Sequence, residues 1–429
     1  MRNKRNKSNK KFKTSRSYIF TIFTLFLIIS LSSELNNLST TISLRIRKVL
    51  NNNLKVKTCN ELENDIRTII GSEINNWSIS AISNKGDIFV NINSKQPRIP
   101  ASNQKLLTTA FTLDTLGAKH RLKTILYKNI KGDYYLIGNG DPDFGEKQVK
   151  IISKKISDNN YFRTIFQDNN SAKLLLYDIP FDYWWPKDWN QFDKYEYYGS
   201  PITRLAINSN SSALSREDPL YVTRKLFIKN SEYINLDVST SNQLFYKHSL
   251  LDRKIYTINS ASMNSLLSLS NSESHNFTAE ILLKNSAKTW DTNLAVIKME
   301  QWLSSENIPL EGFSIRDGSG LSRLNRITSN GISNLLYKMK THRNFNEYLG
   351  SMSIIGVRGT LSNFPNNGSL DGKFYGKSGT LTGVRTISGY LRDRKGFKVI
   401  SILTNNIEQP DFKISRVIYK LDNSSVCDN

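Results

Sequence analysis

The sequence predicts an α+β fold from three observations. Segments that alternate apolar and polar residues stand early and late in the main part of the chain. Helical periodicity fills the part between, and a long run of short alternating segments interrupts the whole. In chain order, residues 77–83 alternate, Asn84-Lys-Gly-Asp87 turns, and 88–93 alternate again, a hairpin signature. A helix is expected between Pro100 and Gly117, with Ser102 at an N-cap or first-turn position and Gly117 as its C-cap. From about 121 to 252 the text is mostly short alternation, as at 122–127 and 133–138, punctuated by turns such as Gly138-Asn-Gly-Asp-Pro142. Helical spacing returns at 264–270, 276–284 and 295–303. Alternation resumes at 373–379, 386–391 and 397–403, before a last helix at about 411–421. The expected organisation is therefore one α+β domain in two parts, 59–120 and 253–429, separated by a β-rich inserted domain at 121–252. No fixed-period repeat is visible.

Residues 1–32 precede this domain and read as a signal peptide or N-terminal anchor. Eight basic and no acidic residues fall within the first 16, and a short, mostly apolar run follows at 18–31. Ser30 and Ser32 are small enough for a cleavage site, whereas an uncleaved anchor would be the only membrane contact. Either way the bulk of the chain is expected outside the cytoplasm. A linker rich in Asn, Ser, Thr and Lys spans 33–58. Removing the leader's charges leaves 51 basic against 37 acidic residues, about +14. Such a surface suits anionic lipid or wall polymer, or is simply a solvated basic exterior. Export and the lack of an Arg-rich arm or recognition-helix pattern argue against nucleic acid. Cys59 and Cys427 are the two cysteines, and a bridge between them stays open. The four histidines are scattered without metal-ligand spacing, so neither a zinc site nor any cofactor is expected.

Three short motifs carry the chemistry. Ser102 and Lys105 lie three residues apart, on one face of the expected helix. Alone this is weak, since Ser8 and Lys11 in the leader share the spacing. Ser274 and Asn276, flanking His275, stand just before an amphipathic helix, where either could be a cap. Lys377, Ser378, Gly379 and Thr380 lie on a predicted strand, where the lysine could simply be solvated. Ser-x-x-Lys, Ser-x-Asn and Lys-Ser-Gly in this order form the three-motif arrangement of penicillin-recognising serine enzymes.

With these motifs the chain resembles the D-alanyl-D-alanine carboxypeptidases and endopeptidases typified by penicillin-binding protein 4, peptidase family S13. Shared phrases are Pro100-Ala-Ser-Asn-Gln-Lys-Leu-Leu-Thr-Thr109, Gly138-Asn-Gly-Asp-Pro142 and Tyr198-Gly-Ser-Pro-Ile-Thr-Arg-Leu-Ala-Ile-Asn208. Arg316-Asp-Gly-Ser-Gly-Leu-Ser-Arg-Leu-Asn-Arg-Ile-Thr328 and Gly376-Lys-Ser-Gly-Thr-Leu-Thr-Gly-Val-Arg385 complete them. Two departures stand out: Lys-Ser-Gly replaces the commoner Lys-Thr-Gly, and the spacing from Ser102 to Ser274 is shorter than in members carrying two inserted subdomains, so the second is expected to be missing.

The resemblance implies the penicillin-binding transpeptidase, serine β-lactamase-like fold: a five-stranded antiparallel sheet with helices on both faces. It implies peptidoglycan stem peptides ending in D-Ala-D-Ala as substrate, and β-lactams as covalent inhibitors. It further implies Ser102 as nucleophile, Lys105 as base, Ser274 as proton relay, Asn276 on the substrate amide and on Lys105, and Lys377 supporting Ser274. Lys377, Ser378, Gly379 and Thr380 would hold the terminal carboxylate. Independently of the resemblance, an acyl-transfer serine needs a base in reach. An ordinary lysine is neutral only about once in several thousand at pH 7, a cost of roughly 4.5 kcal/mol. A desolvated site with a second cation lowers it. His275 is expected to pack, and Asp317 and Ser319 to form a tight turn. A β-lactamase or esterase on the same fold, or a non-catalytic wall-binding protein, are the alternative readings.

Overall fold

The hairpin expected at 77–93 borders the main sheet in the computed structural model, which describes residues 54–167, 171–231, 235–244 and 252–424. In chain order the elements are α1 (Asn60–Ile70), β1 (Trp77–Ile82), β2 (Ile88–Ile92), α2 (Gln104–Thr115), β3 (Lys123–Lys128), β4 (Tyr134–Ile137), α3 (Glu146–Gln167) and β5 (Ser171–Asp178). Next come α4 (Ala213–Glu217), α5 (Pro219–Lys229), β6 (Asn235–Asn242), β7 (Arg253–Asn259), α6 (Met263–Asn271), α7 (Asn276–Ser286) and α8 (Thr292–Ser305). The chain continues through α9 (Ser329–Met339), α10 (Phe345–Gly350), β8 (Ser353–Ile354), β9 (Phe374–Leu381), β10 (Val384–Asp393), β11 (Gly396–Asn405) and α11 (Asp411–Asp422).

The main sheet is antiparallel, in the order β2-β1-β11-β10-β9-β8. Five long strands match the expectation, and the two-residue β8 adds a short edge. On one face Leu62, Ile66 and Ile70 of α1 and Ile414, Val417, Ile418 and Leu421 of α11 bury against Ile79, Ala81, Ile400 and Ile402. Their spacing of three and four makes each helix amphipathic. The opposite face carries α9, which packs on β1, β10 and β11. Beyond it α2 lies against α7, α8 and α6.

A second sheet, β6-β5-β4-β3-β7, occupies the region between α2 and α6. Here α3 and α5 add helices to the strands expected. Val149, Ile152 and Ile156 recur at helical spacing and bury against Leu136, Leu174 and Leu176. The two helices are crossovers: β4–β5 and β5–β6 are parallel pairs, which a tight hairpin cannot join. The helix α9 was also missed by periodicity, although Thr328 caps it by accepting from Gly331 N.

Part of the stretch read as linker is structured. Val56 bridges β2 in parallel, and the amides of Lys57 and Cys59 donate to the carbonyls of Ile88 and Phe89 (both 3.0 Å), covering that edge. The leader, the rest of the linker and Cys427 lie outside the described residues; Cys59 is disulfide-bonded. Among the described residues no helix is long and apolar enough to cross a membrane.

Candidate active site

The expected helix starts in two stages. Ala101–Asn103 makes one 3₁₀ turn and α2 follows from Gln104. Ser102 is therefore not the side-chain cap its position suggested. Its Oγ turns away from the backbone amides, toward Lys105 Nζ (2.9 Å) and Ser274 Oγ (3.0 Å). Ala101, just before it, holds a left-handed φ of 46°, a conformation costing about 1–3 kcal/mol for a residue with a Cβ. Tertiary contacts hold the turn in place. Asn103 Nδ2 donates to Thr386 Oγ1 (2.5 Å), which donates to the carbonyl of Pro100 (2.8 Å), tying the turn to β10.

Gly379 lets β9 approach the same turn. A Cβ there would stand 2.9 Å from Ser102 N, 2.8 Å from Pro100 O and 2.3 Å from Thr386 Oγ1. Gly379→Ala should therefore push the strand off the nucleophile turn. A displacement near 1 Å can cost about 100-fold in rate. A loss of that order in β-lactam acylation rate, with the fold retained by circular dichroism, is the expected result.

Lys105 is fully buried. Its Nζ donates to Ser102 Oγ, to Asn276 Oδ1 (2.7 Å) and to the carbonyl of Ser319 (2.7 Å). Burial lowers its pKa from the ordinary lysine range to about 7, while the carboxylates of Asp317 and Glu280 pull in the other direction. About half the lysine is then neutral at pH 7, which removes most of the cost that an exposed lysine would carry.

The Ser319 carbonyl is held in place by two buried acids. Asp317 accepts from Gly320 N (2.8 Å), Ser322 N (2.7 Å) and Asn325 Nδ2 (2.8 Å), and from the indole of Trp189 (2.9 Å). Glu280, on α7, accepts from Gly318 N (2.9 Å) and Ser319 N (2.8 Å). Burial and the neighbouring Asp317 raise the pKa of Glu280 above the usual carboxylate range. So Asp317 and Ser319 do form the tight turn expected, and that turn also supplies a main-chain acceptor to Lys105.

Ser274 precedes α7 with a φ of 63°, the left-handed region again, and this bend brings its hydroxyl to Ser102. Asn276 is the first residue of α7. It accepts from Lys105 through Oδ1 and donates through Nδ2 to the carbonyl of Tyr198 (3.0 Å). His275 hydrogen-bonds Thr278 Oγ1 through Nδ1 (2.8 Å). Burial, then the charge of Lys105, lower its pKa to about 4, so it is a neutral packing residue.

Lys377 on β9 is fully buried. It donates to the carbonyl of Ser378 (2.6 Å) and not to Ser274, the partner expected from the motifs. The bend at Ser274 points that hydroxyl at Ser102 instead. Burial, then the cations of Lys105 and Arg385, hold the pKa of Lys377 well below the usual range. Ser378 Oγ pairs with Thr360 Oγ1 (2.7 Å). Thr380 is exposed and accepts from Arg385, its cross-strand partner on β10, which also bonds Asp411.

The structure thus gathers Ser102, Lys105, Ser274 and Asn276 into one hydrogen-bonded cluster, with Gly379 packed on the nucleophile turn. Sequence reasoning missed the Ser319 carbonyl, Glu280, the Tyr198 carbonyl, Thr360 and Arg385. Glu280 had a usable signal: it lies four residues after Asn276, on the same helical face. Among the described residues no cluster of three or more His, Cys, Asp or Glu could hold a metal ion.

A serine at a helix start, its lysine one turn on, and a Lys-Ser-Gly edge across the cleft on an antiparallel sheet define the penicillin-binding transpeptidase class of fold. The D-Ala-D-Ala carboxypeptidase 3 (S13) family model matches residues 71–243 and 234–420, and the chain belongs to that family of serine peptidases. It is 23% identical to the D-alanyl-D-alanine carboxypeptidase of Actinomadura sp. (strain R39), over 82% of each chain. It is 22% identical to the penicillin-sensitive carboxypeptidase A of Dictyostelium discoideum, covering 85% of this chain and 93% of the relative. In fold it is similar to penicillin binding protein 4 (dacB) from Haemophilus influenzae, with a TM-score of 0.67 at 16% identity over 83% of this chain and 98% of that one. A predatory peptidoglycan endopeptidase from Bdellovibrio bacteriovorus superposes with a TM-score of 0.51 at 16% identity, over 80% and 90% of the two chains.

Proposed function

We propose that this peptidase cleaves the terminal D-Ala-D-Ala bond of peptidoglycan stem peptides through an acyl-enzyme, on the outer side of the membrane, and that β-lactams acylate the same serine. The observation that carries the reading is the cluster around Ser102 Oγ, with Lys105 Nζ at 2.9 Å and Ser274 Oγ at 3.0 Å. Neutral Lys105 takes the proton of Ser102 as Oγ bonds to the carbonyl carbon of the penultimate D-alanine. The proton then passes through Ser274 to the amide nitrogen, the C–N bond breaks, and D-alanine leaves as a free amine. Water repeats the sequence on the ester, returning the proton to Ser102. The backbone amides of Ser102 and Thr380 form the oxyanion hole, where losing one donor typically costs about 2.7–4 kcal/mol. The start of α2 adds a dipole favouring the developing negative charge.

Asn276 serves the substrate amide, and holding Lys105 aligns the base. Ser378, Gly379 and Thr380 edge the carboxylate subsite, and Lys377, buried beneath it, offers its amine as a hydrogen-bond donor. Arg385, bonded to Thr380, places a cation at the rim. Residues 1–32 export or anchor the enzyme.

The test is product analysis on a synthetic peptide ending in D-Ala-D-Ala, run beside a chromogenic β-lactam. Release of D-alanine with slow, near-stoichiometric consumption of the β-lactam is the expected outcome. Rapid β-lactam turnover without D-alanine release would instead establish a β-lactamase.

A further inference from the structure

The geometry points to a saccharide-binding subsite in the cleft between residues 181–187 and the start of α8, one that takes the glycan strand carrying the stem peptide. The inference rests on the peptidase reading above and extends it from the peptide to the polymer. The cleft encloses about 420 Å³, within the usual range for small-ligand sites. Tyr183 and Trp185 give it an aromatic wall, while Asp182, Lys187, Asp291 and Asn293 ring it with polar groups. This pairing suits a pyranose, whose C–H faces lie on aromatic rings while its hydroxyl and acetamido groups meet carboxylates and amides. A purely apolar ligand would leave the carboxylates unmatched, and a polyanion would meet two of them at the rim.

The surroundings favour the same ligand. Phe181, Tyr195 and Tyr197 from the same segment are 62%, 65% and 69% exposed, a concentration of solvent-facing aromatic rings that marks an interaction surface. Lys194 Nζ lies 5.5 Å from the Trp185 ring centre and adds a donor there. Asp291 keeps one oxygen on the amides of Asn293 and Leu294 (2.8 and 3.2 Å), fixing that wall of the cleft as the cap of α8.

Position links the cleft to the reaction. Residues 181–198 end at Tyr198, whose carbonyl accepts from Asn276 in the catalytic cluster. Thr292, which lines the cleft, accepts through Oγ1 from Lys284 of α7 (2.8 Å). Lys284 lies eight residues beyond Asn276, about 12 Å along the helix axis. About four extended residues of stem peptide, up to about 14 Å, bridge such a distance between the scissile carbonyl and the sugar. A strand seated in the cleft would deliver its peptide end at Ser102.

The experiment compares wild type with Tyr183→Ala/Asn293→Ala, neither side chain being part of the catalytic cluster. Each is assayed on a free pentapeptide ending in D-Ala-D-Ala and on the same peptide carried by an N-acetylated disaccharide. The double variant should lose about fivefold or more in kcat/KM on the glycan-linked substrate and keep wild-type kinetics on the free peptide. Equal loss on both substrates, or loss on neither, overturns the subsite. If wild type cleaves neither, the peptidase reading fails instead. Titration of Ser102→Ala with a soluble N-acetylglucosamine tetrasaccharide then decides: binding that Tyr183→Ala/Asn293→Ala weakens in that background supports the subsite, and absence of binding overturns it. Trp185→Ala, assayed in the same way with its melting temperature recorded, covers the case in which the double variant fails to fold.

Discussion

Ser102→Ala should abolish covalent labelling by a fluorescent penicillin and lower D-alanine release on the order of 10⁴-fold or more, since no acyl-enzyme can form. The residual rate would come from substrate binding and the oxyanion amides alone. The variant should fold normally. Lys105 keeps two of its three acceptors, Asn276 Oδ1 and the Ser319 carbonyl, and the turn keeps its ties to Thr386. Gel fluorescence beside a melting curve checks both points: equal labelling of wild type and variant would overturn the assignment of the nucleophile.

The second large effect is on pH dependence. Lys105 works as a base only when neutral, and its pKa lies at about 7. The acylation rate should therefore level off above that pH and fall about tenfold per unit below it. An ordinary lysine would instead keep the rate climbing to near pH 10.4. Lys105→Met should remove this limb and cost about 10²–10⁴-fold, the usual contribution of a general base. Glu280→Gln gives the directional check. The carboxylate holds the lysine pKa up, so neutralising it should move the limb to lower pH. A limb that stays put, or rises, would show that Lys105 is not the titrating base. Stopped-flow acylation between pH 5 and 9 measures all three.

Much of the site was legible because its parts are local. Three residues of helical spacing put Ser102 beside Lys105, and the structure departs from that reading only in replacing the first turn by a 3₁₀ turn. The main sheet was legible for the same reason, since period-two alternation at 77–93 and 373–403 marks strands whatever they pair with. The crossover helices were harder. In α3 Val149, Ile152 and Ile156 do stand at helical spacing, but the run sits among short alternating segments, and its burial against β4 and β5 is what identifies it as a crossover helix. Lys377 exposed another limit: its motif located the lysine, but not that its Nζ hydrogen-bonds the Ser378 carbonyl rather than Ser274.

The one-dimensional text was enough to establish the α+β class, the order of the three motifs and the kinship with the S13 peptidases. These depend on periodicity and on residue types at fixed spacings. The three-dimensional fold alone decided why Lys105 can act as a base. Its burial is a sum over neighbours far apart in the chain. Asn276 and the Ser319 carbonyl meet it in hydrogen bonds from 171 and 214 residues away, and the carboxylates of Asp317 and Glu280 act on it through space. Desolvation and Coulomb interactions act through space, so no local spacing records them.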